Sequence, residues 1–313
     1  MRSNARLIKI FAAVGFILIT AEAGFSQASN GRAVLWEPVN IKKQNLFLGP
    51  GGTAHTPNLK RITFIKKETG GNNLKYRIKD GSGREWVAKI ADESRPEAAA
   101  VRLLWGIGYK TEINYLVPRL TIPARGTYNN VRLEARLANI ERGDRWDWQD
   151  NPFADARELR GLKIMMALIN NWDLKTGNNI ILETGGRHHY VVSDLGSAFG
   201  KMAITSGFFF NRFGRSVDEP AAFMKSKFIN EVTDDGFVDF AYNGKGAGLL
   251  DDITPADAAW AGRLLGQLSN KQLDDAFRAA NYTVGERRIL IQALRGRIHQ
   301  LQIVGRNNLE AVL

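Results

Sequence analysis

The run I-M-M-A-L-I-N-N-W-D-L-K-T-G-N-N-I-I-L at 164–182, followed by H-H-Y-V-V-S-D-L-G at 188–196, decides how this chain is read. Apolar residues at 159, 162, 165, 166 and 169 recur with helical spacing, so a helix over 158–169 leads into Asn170 and Asn171. Ile180 to Leu182 and Tyr190 to Val192 are β-prone. The stretch E-T-G-G-R between them, at 183–187, has hairpin-turn composition. The stretch therefore predicts a helix, a polar loop holding Asp173, Lys175 and Asn178, and a hairpin whose second strand delivers Asp194.

These residue types suit phosphoryl transfer. Mg²⁺ takes hard oxygen ligands such as an Asp carboxylate and an Asn amide oxygen, here Asp194 and Asn178. An attacking hydroxyl needs a carboxylate to orient it and accept its proton, which Asp173 supplies. The transferred group needs a nearby cation, which Lys175 supplies. Asn179 is a rival for Asn178, and the five-residue spacing from Asp173 favours Asn178.

The order Asp-x-Lys-x-x-Asn, hairpin, Asp-x-Gly resembles the catalytic and metal-binding loops of the protein-kinase-like superfamily. It is closest to the atypical branch: phosphoinositide 3- and 4-kinases, HipA-type kinases and secretory-pathway kinases. The resemblance implies an α+β, bilobal fold with a β-rich N-lobe and a mainly helical C-lobe. It implies ATP and Mg²⁺ as cofactors and a hydroxyl acceptor on a protein, a lipid headgroup or a sugar. Upstream, strands are expected at 62–66, 74–79 and 85–90, with turns at T-G-G-N-N and D-G-S-G. In the kinase scheme Gly70 and Gly71 belong to the phosphate-covering loop. Lys89, in V-A-K-I, becomes the third-strand lysine, one place earlier than in V-A-I-K. Its acidic partner falls on the helix expected over 96–105, with Glu97 the first choice and Glu93 the second. Further strands at 117–122 and 131–137 complete the lobe, and adenine is expected against the connection at 138–141. There is no A-P-E triplet after Asp194, and Asn171-Trp172 stand where typical protein kinases carry His-Arg. These departures point away from a typical Ser/Thr or Tyr protein kinase.

The remaining stretches are read more plainly. Arg2, Arg6 and Lys9 precede an apolar stretch, and A-E-A and S-Q-A follow it, so residues 1–28 have the pattern of a secretory signal. Export to the periplasm or outside the cell is expected, and an uncleaved membrane anchor is the alternative. Residues 29–140 are assigned to the N-lobe with a loop-like lead-in, and 141–313 to the C-lobe. Trp146 and Trp148 read as packing between lobes, Phe208 to Phe210 as core, and Gly244 to Gly248 as a flexible connector. His188 and His189 alternate on a strand and read as surface or packing residues. C-terminal helices are expected at 256–268, 271–280 and 286–304. Arg287, Arg288, Arg295 and Arg297 are read there as a solvated face.

The chain has 313 residues, 44% of them hydrophobic, enough for one large or two modest domains. It has no cysteine, which excludes disulfides, thiolate metal sites and a cysteine nucleophile. The formal charge is +11, and removal of residues 1–28 would leave +9. Basic and acidic residues are interleaved, with no run of five or more cations, so no nucleic-acid partner is expected. An exported, pseudokinase-like binding module is the competing expectation, since ATP is scarce outside the cytoplasm.

Overall fold

The computed structural model describes residues 31–71, 73–202 and 214–310, with side chains described to Arg306. The expected signal segment and Phe208 to Phe210 lie outside the described residues. Strands β1 (Arg32–Val34), β2 (Thr63–Glu68), β3 (Leu74–Lys79) and β4 (Glu85–Ile90) lead into helix α1 (Ser94–Gly106). Then come β5 (Asn114–Ile122), β6 (Gly126–Arg136), β7 (Glu141–Arg142), α2 (Arg157–Leu168), β8 (Asn179–Thr184) and β9 (Arg187–Val192). The chain continues through α3 (Pro220–Lys225), β10 (Ile229–Val232), β11 (Val238–Phe240), α4 (Pro255–Gly266), α5 (Asn270–Ala279) and α6 (Val284–Glu310). The expected elements are all present, with ends displaced by a few residues; β6 and α6 run longer than the sequence suggests.

The N-lobe is an antiparallel sheet in the order β2-β3-β4-β6-β5. Strand alternation separates its two faces. Ile78 lies opposite Trp86 and Ala88 opposite Leu133, while Tyr115 and Val117 lie opposite Leu133 and Val131. All of these are buried in one apolar cluster. The other face is charged. Lys75, Lys89 and Arg132 form one cross-strand row, and Arg77, Val87 and Glu134 form the next. Like charges directly opposite one another destabilise a sheet, so the first row requires carboxylates from elsewhere. Helix α1 supplies them. Its Ala98 to Val101, Leu103 and Leu104 are buried in the main core, against Leu35, Leu46 and the C-lobe helices. Its first turn thus lies over the cationic row.

The lead-in is more structured than its loop-like composition suggests. β1 adds in parallel to β9, giving a second sheet in the order β1-β9-β8-β7. A three-residue strand carries too few positions to show alternation. Trp146 and Trp148 are buried in the main core, with their rings 4.9 Å apart, and act as packing as expected. Arg297 and Arg287 depart from the expected solvated face. Arg297 is 3% exposed, and Arg287 is bonded to Asp274 at 2.7 Å. Helix α6 packs against α3, α4 and α5, which buries Arg297 and leaves Arg287 and Arg295 partly buried, while Arg288 is exposed as expected. Among the described residues no helix is long and apolar enough to cross a membrane.

The β3–β4 turn is organised by Asp80, which is 2% exposed. Its carboxylate accepts from the backbone N–H groups of Asn58, Ser82 and Arg84 and from the indole of Trp86. Burial alone pushes this carboxyl up, but the donors outweigh it and hold it at about 2. Its unfolded value is higher, so its stabilisation is full above that value and is lost as pH falls through about 2. Asp80→Asn should therefore lower the urea midpoint near neutral pH and differ little from wild type near pH 2. A constant difference across that range would show that the ionised form has no special role.

Candidate active site

Helix α2 delivers the loop of interest. Ile164 to Ile169 are buried, and the helix ends at Asn170, which sits in the left-handed region with φ 55°. The turn is locked from α6. The buried Arg297 guanidinium donates to Leu168 O and Asn170 Oδ1, each at 2.7 Å, and to Ser226 Oγ at 2.8 Å. The Asn170 amide donates to Gly200 O at 2.9 Å. An arginine thus satisfies carbonyls that a helix end leaves without partners.

Past this turn, Asp173 is the centre of a compact set. Lys175 Nζ lies 2.6 Å from its Oδ2, and the Asn178 amide donates to its backbone oxygen at 2.7 Å and to Oδ2 at 3.1 Å. A second lysine arrives from outside the predicted set. Lys245 Nζ lies 2.7 Å from Asp173 Oδ1. The segment read as a flexible connector is strapped to this loop. Lys245 N donates to Trp172 O at 2.8 Å, Tyr242 donates to Asn171 O at 2.6 Å, and Gly246 takes φ 69° beside Leu174. Burial pushes the Asp173 carboxyl up, but hydrogen bonds from Lys175, Lys245 and Asn178 outweigh it and hold it below the usual carboxylate range.

A second cluster surrounds Lys89, which is 2% exposed on β4. Its ammonium lies 2.7 Å from Glu93, 3.1 Å from Glu97 and 3.5 Å from Asp194. Both proposed helix partners are therefore real partners, and Glu93 is the closer one. The second oxygen of Glu97 takes Arg132, whose other nitrogen bonds Glu134 at 2.8 Å. Burial pushes Lys89 down, but Glu97 and Asp194 hold it firmly protonated. Burial lifts Glu97 to about 7 against the pull of Arg132 and Lys89. With a cation on each of its oxygens, the ionised carboxylate is the form this geometry holds. Asp194 is lifted by burial and pulled below its ordinary value by Lys89, Arg132 and the Gly196 N–H.

The two clusters share a backbone junction. Asn178 O accepts from Ser193 N at 2.7 Å and Asp194 N at 3.2 Å, so the first strand of the hairpin begins where the second one ends. Asn178 and Asp194 offer two hard oxygen donors. Among the described residues no group of three or more His, Cys, Asp or Glu side chains is placed so that it could hold a metal ion. Two donors suit Mg²⁺, which keeps waters and takes substrate phosphates for its remaining positions. Asn179, the rival donor, is turned away and donates to Trp146 O at 3.0 Å. Gly70 and Gly71 lie on the β2–β3 turn; Gly71 takes φ 75°, and a Cβ at Gly70 would meet nothing within 4 Å. Asn73, after this turn, donates to Glu93 at 2.7 Å and so ties the turn to the Lys89 cluster.

A charged network extends from Glu97 toward the interlobe connection. Glu134 takes Arg132, Arg136 and Arg142, and Arg142 also bonds Glu112. Glu112 accepts from Ser193, the neighbour of Asp194, at 3.2 Å. Sequence reading missed Arg132, Glu134, Arg142, Glu112 and Lys245. The first four are ordinary charged residues until strand register brings them together, and the only signal for Lys245 was its pair of flanking glycines.

No protein-family model matches the chain, and no curated protein matches it. Its fold is similar to that of a solved protein, the Helicobacter pylori proinflammatory kinase CtkA. The TM-score is 0.50 at 10% sequence identity, over 82% of this chain and 98% of that one. The chain therefore has a kinase-like bilobal α+β fold, and at this identity the likeness is one of fold.

The support beneath Asp173 is open to a direct check. Arg297→Met keeps much of the apolar stem and leaves several buried acceptors without a donor. It should cost roughly 2–4 kcal/mol in urea denaturation. A loss below about 0.5 kcal/mol would show that the loop is held by other contacts.

Proposed function

We propose that this protein is an atypical, Mg-ATP-dependent phosphotransferase acting on a hydroxyl of a protein, lipid headgroup or sugar. One observation carries the reading: Lys89 on β4, Glu97 on α1 and Asp194 at the end of β9 converge within 3.5 Å, beside the Asp173 and Asn178 loop. Three separate elements place opposite charges at one point, and a purely structural ion pair has no need of the adjoining clamped carboxylate.

In this reading Lys89, held by Glu97, binds the α- and β-phosphates, and the β2–β3 turn with Gly70 and Gly71 covers them. Asn178 and Asp194 hold Mg²⁺, which neutralises phosphate charge when bound. Asp173 orients the acceptor hydroxyl and takes its proton. The acceptor oxygen forms its bond to the γ-phosphorus as the bond to the β–γ bridging oxygen breaks, and ADP leaves. Lys175 is exposed enough to swing from Asp173 to the departing phosphoryl group, while Lys245 keeps Asp173 ionised. Residues 1–28 direct the chain to export.

Mg-ATP at about 100 times its Kd should raise stability by roughly 2.7 kcal/mol by mass action. Thermal melting of the native chain should show this shift, and Asp194→Ala should lose it. Asp173→Ala should keep the shift while losing at least about 100-fold in transfer from γ-labelled ATP. A native-like shift in Asp194→Ala would overturn the assignment, and a shift without any transfer would favour a nucleotide-binding scaffold.

Lys245 gives a pH test. Removing it takes away one of the hydrogen bonds that hold Asp173 below its ordinary value. In Lys245→Ala the acid limb of the rate profile should therefore move to higher pH, and Lys245→Arg should move it back. An acid limb unchanged by Lys245→Ala would remove Lys245 from the proton-transfer step.

A further inference from the structure

A cavity of about 990 Å³ opens along the interlobe connection. Its walls are the end of α1 and the loop after it, the β3–β4 turn, the connection itself and the β8–β9 hairpin. None of Lys89, Glu97, Asp173, Asn178 and Asp194 lines it. The volume is at the upper end of the range that holds a small molecule.

The lining has two characters. Trp105, Leu137, Ile140 and Leu182 supply an apolar wall. Arg84, Lys110, Arg136 and Arg142 stand against only Glu85 and Glu112. Burial and the neighbouring Glu134 also lift Glu112, which weakens the acidic side further. Two lining residues carry buried polar atoms with no hydrogen-bond partner among the described residues: Thr111 Oγ1 and His189 Nδ1. Burial, Lys110 and Arg187 hold His189 below its ordinary value, so the ring is neutral near pH 7 and offers one donor and one acceptor. Buried polar atoms are nearly always satisfied in folded proteins, so these two are open to a partner that enters the cavity.

We infer that this cavity is a binding site for a small molecule with an apolar body and a single carboxylate or phosphate. The apolar wall takes the body, Arg136 and Arg142 meet the anion, and Thr111 and His189 pair with further polar atoms. Arg136 and Arg142 are already bonded to Glu134 and Glu112. Each guanidinium has N–H donors beyond those it gives to Glu134 and Glu112, so the anion joins these carboxylates at the arginines and displaces neither. Ala138 and Ile140, in the connection against which adenine is expected, also line this cavity, but Lys89, Glu97, Asp173, Asn178 and Asp194 all lie outside its walls, so the site is assigned to a second ligand that Mg-ATP should not displace.

The test uses the full chain and anilinonaphthalene sulfonate, an aromatic anion whose fluorescence rises on entering an apolar site, with decanoate and decanol as competitors. Saturable one-to-one binding is expected. Decanoate should displace the probe at least about tenfold better than decanol, the scale of a charge-assisted hydrogen bond. Arg136→Gln should shrink that preference by weakening decanoate alone. Thr184→Trp, and Ala138→Trp on the exposed rim, should abolish probe binding by filling the cavity while circular dichroism stays native. Binding that does not saturate, or that survives in both folded tryptophan variants, would overturn the site. Equal displacement by decanol would overturn the anionic ligand.

Discussion

The fold of the N-lobe depends on neutralising one row of cations. β-Strand register places Lys75, Lys89 and Arg132 side by side on the charged face of the sheet, with Lys89 and Arg132 buried. That row is untenable without carboxylates, because a buried ion without partners costs several kcal/mol. Glu97 answers it, with one oxygen on Lys89 and the other on Arg132. The position of α1 follows from this bond as much as from its apolar packing. Sheet and helix are therefore set relative to one another by a single buried carboxylate, and the end of β9 joins them through Asp194 on Lys89.

Such a network is poor evidence for stability, since well-packed apolar residues of similar volume often do as well or better. What it fixes is geometry. Lys89 has a choice of three carboxylates, and Asp194 is the most distant of them. The ammonium is thus pinned from the helix side while Asp194, half-exposed, keeps capacity for another partner. In the phosphotransferase reading, phosphate at Lys89 and a metal at Asp194 would demand little rearrangement, because the lysine is already oriented by Glu93 and Glu97.

The sequence carried this site unevenly. Asp173, Lys175, Asn178 and Asp194 were legible because each lies on one short loop or hairpin, where spacing along the chain is spacing in the molecule. Lys89 and Glu97 were legible as a strand residue and a first-turn acid eight residues apart. Arg132 was not, because its partnership with Glu97 depends on cross-strand register, which no local pattern announces. Arg297 misled for a similar reason. On a helix rich in arginine it looked solvated, and it became a buried cap for the α2 terminus only once α6 was packed in place. β1 left no trace because it is too short to alternate. The polar set around Asp173 and Asp194 was thus readable where it is local, and the residues that hold it were not.

Lys245 shows how far this division reaches. It lies 72 residues from Asp173, in a glycine-rich stretch whose composition suggests a connector. Glycine there serves rigidity: Gly246 has to take a left-handed conformation so that the backbone at 245 can pair with Trp172 and Asp173. The result is a carboxylate with an ammonium on each oxygen, and both lysines are partly exposed. A base clamped in this way has its proton affinity reduced by both cations, so it is ionised at neutral pH and is weakly basic. It gains basicity only when one lysine leaves. In the phosphotransferase reading the partner drawing Lys175 away is the phosphoryl group itself, so proton acceptance and phosphoryl departure become linked through one movable cation, with Lys245 as the fixed one.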